Sequence, residues 1–198
     1  MPTRHSAPKE VQDDRHAQGD HGVSKGQAGR LDKGTGEILN TVVDTVSGTL
    51  VTTIKGTGAV GTALTSTISD VLHGAITGTA QVGGDLGATA KGGVIGVLKG
   101  TKDVGVEAVD TVSTSARVLV KSTADVGGDV GLVARNAVEG AIAGAKHVGL
   151  GAEEAASAAA TGALKGAGEI SQEAVEQVRK AATGVISGVK VVVKEPFK

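Results

Sequence analysis

The chain has 198 residues, enough for one good domain, and 20 basic against 21 acidic side chains leave a net charge of −1. This balance, with Phe197 as the single aromatic residue, excludes the basic, base-stacking surface of a nucleic-acid binder. The absence of cysteine excludes a disulfide framework and thiolate metal sites, and suits a reducing, cytoplasmic compartment.

The first stretch, residues 1–34, opens MPTRHSAPKEVQDDRHAQGDHG and lacks the apolar segment of a secretory signal. Its few apolar side chains cannot offset the entropy of ordering, so it reads as a disordered polar tail. His5, His16 and His21 are scattered along this arm and read as solvated residues rather than metal ligands.

A repeat begins at Thr35. Written in rows of 22, the chain reads TGEILNTVVDTVSGTLVTTIKG, TGAVGTALTSTISDVLHGAITG, TAQVGGDLGATAKGGVIGVLKG, TKDVGVEAVDTVSTSARVLVKS, TADVGGDVGLVARNAVEGAIAG, AKHVGLGAEEAASAAATGALKG and AGEISQEAVEQVRKAATGVISG. The seven rows cover residues 35–188 without insertion or deletion. A fixed period of this length marks a repeat architecture, whose single unit cannot bury its apolar side alone. Each row splits into two rows of 11, with apolar or small residues mostly at positions 1, 4, 5, 8 and 9. Eleven residues make three helical turns at about 3.67 residues per turn, so these positions gather on one side of a helix, over roughly 130°. A strand needs a period of two and fits poorly, although the Val and Thr content favours strands. The expected fold is therefore all-α: a long amphipathic helix, or kinked helices, following a disordered tail.

Row boundaries such as "ITGTAQVG" and "LKGTKDVG" place a Gly before a Thr, which suits a helix end followed by an N-cap. Hinges at Gly78, Gly100, Gly144 and Gly166 follow from this pattern, while the unbroken 11-residue phase favours a continuous or gently kinked helix over discrete short ones. Residues 189–198, VKVVVKEPFK, form a short extension in which Pro196 bars further helix.

Twenty-seven glycines lie in the rows, and each costs about 1 kcal/mol relative to alanine inside a helix. An isolated helix is thus expected to be largely unfolded in water, and ordering requires something that covers the stripe. One candidate is a lipid surface, whose contact residues would be Val60, Leu64, Val82, Leu86, Val104, Val109, Val126, Val130, Ile142 and Leu164. About 154 residues of helix at 1.5 Å each would reach about 230 Å, a length suited to coating a broad surface. Self-association uses the same stripe: Gly61, Gly83, Gly105 and Gly127 would let helices approach in an 11-residue coiled coil, or the chain would fold back as a bundle through its Gly hinges.

The segments KGTKDVGVEAVDTVSTSARVLVKSTADVGG and TGTAQVGGDLGATAKGGVIGVLKG, with Lys99, Thr101, Lys102, Asp103, Val104 and Gly105 as the matching residues, resemble the 11-residue amphipathic repeats of perilipin-type lipid-droplet coat proteins and the repeats of synucleins. The likeness covers residues 35–188 and implies a chain disordered in water that becomes a long helix on a lipid droplet or membrane, peripheral and cytoplasmic. Small-residue 11-mers are also similar to those of late-embryogenesis-abundant desiccation proteins, which implies stress protection as an alternative. Unlike the Lys-rich synuclein repeats, these rows carry slightly more acidic than basic residues.

Catalytic and cofactor motifs are not found. "GTGAVG", Gly56 to Gly61, matches G-x-G-x-x-G but sits at a row boundary with no βαβ pattern around it. His73 and His147 fall on the polar face without a second ligand four residues on, and Glu153 and Glu154 read as helix-surface charge. Thr57, Thr79, Thr101 and Thr123 repeat every 22 residues, but the alternate rows of 11 carry Ala, Val or Ile there, which disfavours ice binding. The longest charge-free runs, such as Gly56 to Ser69, fall short of about 18 apolar residues, so no spanning helix is expected. No enzyme activity, cofactor or metal follows from the sequence.

Overall fold

A computed structural model describes the backbone of residues 25–57 and 62–193 and the side chains of residues 36–56 and 63–193. Among these residues the chain forms seven helices: α1 (Lys25–Thr57), α2 (Thr62–Gln81), α3 (Leu86–Val104), α4 (Ala108–Asp125), α5 (Val130–Val148), α6 (Ala152–Gly168) and α7 (Gln172–Ala182). A hairpin of β1 (Gly184–Ile186) and β2 (Val189–Val191) follows. The fold is all-α apart from this hairpin.

The helix is not continuous, and the reason lies in four glycines. Gly83, Gly105, Gly127 and Gly149 adopt φ of 67°, 73°, 71° and 74°, a left-handed conformation that costs an L side chain about 1–2 kcal/mol. Around each the chain closes the same bond, from Gly84 N–H to the Thr79 carbonyl, Val106 to Thr101, Gly128 to Thr123 and Leu150 to Ala145. This six-residue closure satisfies a carbonyl that the helix end would leave orphaned. After Gly83 and Gly127 the next helix starts on an aspartate cap, Asp85 and Asp129 accepting from the backbone N–H of Ala88 and Leu132, and α7 starts on Ser171, which accepts from that of Ala174.

The hinges at Gly83, Gly105 and Gly149 therefore lie five residues beyond three of the predicted ones, the hinge at Gly127 has no predicted counterpart, and no left-handed glycine follows Gly166 before α7. Gly78, Gly100, Gly144 and Gly166 are inside helices, and Thr101 and Thr123, read as caps, are buried and donate to the carbonyls of Val97 and Leu119. Burial also removes both from any ice-binding surface. The glycines expected at helix contacts, Gly83, Gly105 and Gly127, have nothing within 4 Å of where a Cβ would stand. They are turn residues, and Gly61 lies outside the described residues.

Two segment boundaries shift as well. α1 begins at Lys25, inside the stretch assigned to the polar tail, where Gln27, Ala28, Arg30 and Leu31 are good helix formers. At the other end the last row does not finish as helix. Ser187 and Gly188, with φ of 49° and 80°, form a two-residue turn between β-branched runs, and the hairpin spans the boundary at 188.

The helices stack in two layers, α1, α3, α5 and α7 in one and α2, α4 and α6 in the other. Successive helices fold back on each other, so that Leu72 in mid-α2 meets Gly93 in mid-α3. Within a layer they run parallel and very close, because glycine faces backbone. A Cβ at Gly96 would stand 2.8 Å from the Val43 carbonyl oxygen, one at Gly140 2.6 Å from that of Lys91, and one at Gly166 2.7 Å from that of Arg117. Gly162 meets Ser113 in the same way.

The core is shallow but regular. Val46, Leu50 and Ile54 of α1 are buried, as are the residues 22 places further on, Ile68, Leu72 and Ile76, and again Ala90, Val94 and Leu98. The series continues through Val112, Ala116 and Val120 to Val178, Ala182 and Ile186. Valine and alanine dominate the later sets, which is what the close glycine contacts leave room for.

Candidate binding surface

The ten residues proposed to touch a surface fall into five groups. Leu64, Val130, Ile142 and Leu164 are buried in the core. Leu86, Val104 and Val126 are half-buried and packed against it. Val109 is half-buried beside a recess between α4 and α6 that Asp110, Glu153, Glu154 and Lys165 also line. Val82 stands open at 81 % exposure, and Val60 is outside the described residues. In this state the helices cover one another's stripe, so nine of these positions do not form one continuous outer face.

Polar contacts tie the layers from outside. Lys91 of α3 pairs with Glu139 of α5 at 3.3 Å, and Lys99 of α3 with Asp44 of α1 at 3.6 Å. Glu169, just past α6, receives both Lys121 of α4, at 2.6 Å, and Arg117. The Lys121 hydrogen bond, helped by the Arg117 charge, holds the Glu169 carboxyl below its ordinary value of 4.5. A depressed carboxyl adds stability above its unfolded pKa and loses it as pH falls through the folded one. Glu169→Gln is accordingly expected to lower the melting temperature slightly at about pH 7, through loss of at most about 1 kcal/mol, and the difference is expected to vanish once the pH has fallen through the depressed carboxyl range. A deficit that persists at the acid end would assign the effect to packing instead.

His73 Nδ1 lies 3.1 Å from Ser122 Oγ. A base beside a hydroxyl has the form of an activated nucleophile. Ser122 is buried, however, so the pair serves as a link between α2 and α4 and its hydroxyl is shielded from any substrate. Among the described residues no three of His, Asp and Glu converge as a metal site. Most of the "GTGAVG" stretch, and all three histidines of the N-terminal arm, lie outside the described residues.

A second recess, of about 420 Å³, runs along the outer side of α1 and α2, between Val42 and Val46 on one wall and Val71, Gly74, Ala75, Gly78 and Val82 on the other. Sequence reading missed this groove, and it missed the packing glycines of α3, α5 and α6. Their signal was present as spacing: Gly92, Gly96 and Gly100, Gly140 and Gly144, and Gly162 and Gly166 each stand four apart, the interval that aligns small residues on one helix face.

Fold and surface together define a class, a two-layer stack of helices in which glycine brings parallel neighbours into backbone contact. No protein-family model matches the chain, and no curated protein is similar to it in sequence. Among the described residues no helix is long and apolar enough to cross a membrane.

Proposed function

We propose that the protein is a non-enzymatic coat for a lipid surface, and that the two-layer stack is its surface-free form, which opens at the four left-handed glycines. One observation carries this reading. The 11-residue apolar phase runs from Thr35 to Gly188 through every turn without a break, although a stack of separate helices allows each helix a phase of its own. If the left-handed glycines straighten, α2 to α6 join into one amphipathic helix with a single apolar side. Each turn glycine has nothing within 4 Å of its Cβ position, so straightening meets no side-chain obstacle. The apolar surface that leaves the core is covered again by lipid, and much of the hydrophobic gain is kept.

The test is flotation with a neutral-lipid emulsion. The chain is expected to float, and Val104→Glu with Val126→Glu to reduce the bound fraction at least about tenfold, because an unpaired charge on the apolar face must be desolvated. Lys102→Glu with Ala124→Glu, on the opposite face of the opened helix, is expected to leave binding within about twofold. Equal losses in both pairs would sink the coat reading. Ordering that changes only on drying would assign the chain to stress protection, and concentration-dependent assembly without lipid affinity would assign it to a coiled-coil scaffold.

A further inference from the structure

The two ends of the stack differ. At the C-terminal end β2 packs on α6, with Ile186 and Val191 buried, and α7 shows solvent Glu173, Glu176, Arg179 and Lys180. A charged outer face on the last repeat is how a stacked protein ends its core. At the other end α2 carries one acid, Asp70, and no Lys or Arg in 20 residues. Its outer side exposes Gly74 and Gly78, half-exposes Val71 and Ala75, and leaves Val82 the most exposed large apolar side chain among the described residues.

The same places are buried further along. Gly93 and Val97 of α3, Ser115 and Leu119 of α4, Ala137 and Ala141 of α5, and Ala159 and Ala163 of α6 stand 22, 44, 66 and 88 residues beyond Val71 and Ala75, and all are buried. The counterparts of Gly74 and Gly78 are Gly96 and Gly100 of α3, Gly140 and Gly144 of α5, and Gly162 and Gly166 of α6. Each of these pairs seats the preceding helix of its own layer. Gly74 and Gly78 have nothing within 4 Å. α2 thus presents a glycine face of the kind that seats a helix backbone three times elsewhere, and among the described residues no helix covers it.

We propose that a second copy of the chain covers this face: two stacks pair through α1 and α2, with Gly74 and Gly78 of each α2 seating the α2 backbone of the other. The residues 1–24 are a poor occupant, since seven charged side chains and three histidines stand among them and would be stripped of water against valine and glycine. A copy of the same face brings only one charge on its α2, Asp70, and no Lys or Arg, so the cost is smaller. Because the same face serves both partners, the interface is isologous, and the pairing closes as a two-fold dimer instead of growing into a filament. This inference concerns the chain without lipid and does not rest on the coat reading.

The test is sedimentation equilibrium of the full chain in lipid-free buffer, from about 1 µM to about 100 µM, a range that covers common dimer affinities. The expected result is a reversible shift to twice the 19.4 kDa chain mass. Gly74→Leu with Gly78→Leu is expected to raise the dissociation constant at least about a hundredfold. The open space around both glycines lets the single stack keep its circular dichroism and melting temperature. A monomeric wild type over the whole range, or a dimer that survives both leucines, would overturn the proposal.

Discussion

Replacing Gly162 with alanine is expected to destabilise the stack by about 3 kcal/mol or more, the upper range for overpacking a tight core. The added methyl would meet the Ser113 carbonyl and Cα, which belong to the α4 backbone, so no side-chain rotation relieves it and α4 and α6 must separate. Gly36→Ala is the matching control. It lies in α1 with nothing within 4 Å, and alanine there is expected to raise stability by up to about 1 kcal/mol. Denaturant melts of the two variants read both signs. If the two replacements had equal effects, helix propensity would govern these glycines and the backbone-contact account of the layers would fail.

The second large effect is expected from alanine at all four turns, Gly83, Gly105, Gly127 and Gly149. Each left-handed alanine costs about 1–2 kcal/mol, so four consume about 4–8 kcal/mol of a total that for natural domains is about 5–15 kcal/mol. The penalty is conformational, since these positions have open space around them. In a straight helix the same four alanines are favourable by about 1 kcal/mol each. The quadruple variant should therefore melt far below the wild type in buffer while binding a neutral-lipid emulsion at least about tenfold more readily. Loss of stability with loss of binding would mean that the surface form keeps its turns.

Much of this architecture can be read from the chain. The period of 22 and the apolar phase of 11 are visible as written, and Leu50, Leu72 and Val94 occupy matching places in both phase and core. The turns were harder to place because two glycines five apart compete at three of them, Gly78 with Gly83, Gly100 with Gly105 and Gly144 with Gly149. Gly100 and Gly105 are five apart, and each has a Lys or Asp within three residues, so only the packing of Gly100 on Leu50 and Ser47 decides which one remains in the helix. That contact joins residues about fifty apart, and no local pattern reports it. The hairpin was legible in "VISGVKVV", where Ser187 and Gly188 separate two β-branched runs, but the helical phase of the preceding rows outweighed it. The binding residues divide for a related reason: a stripe identifies what must be covered, and Val104, Val130 and Leu164 look alike whether the cover is another helix or a lipid.

The opening of the stack is tested most directly by one distance. With Lys91→Cys and Glu139→Cys in a chain that has no other cysteine, spin labels report the separation of two side chains that now touch at 3.3 Å. In buffer the dipolar distance should be short, limited by the labels themselves. On a neutral-lipid emulsion the account predicts a move to about 70 Å, the length of 48 residues of straight helix at 1.5 Å each. A bound chain that keeps the short distance would show that the stack adsorbs closed, and would contradict the claim that its glycine turns are the hinges of a coat.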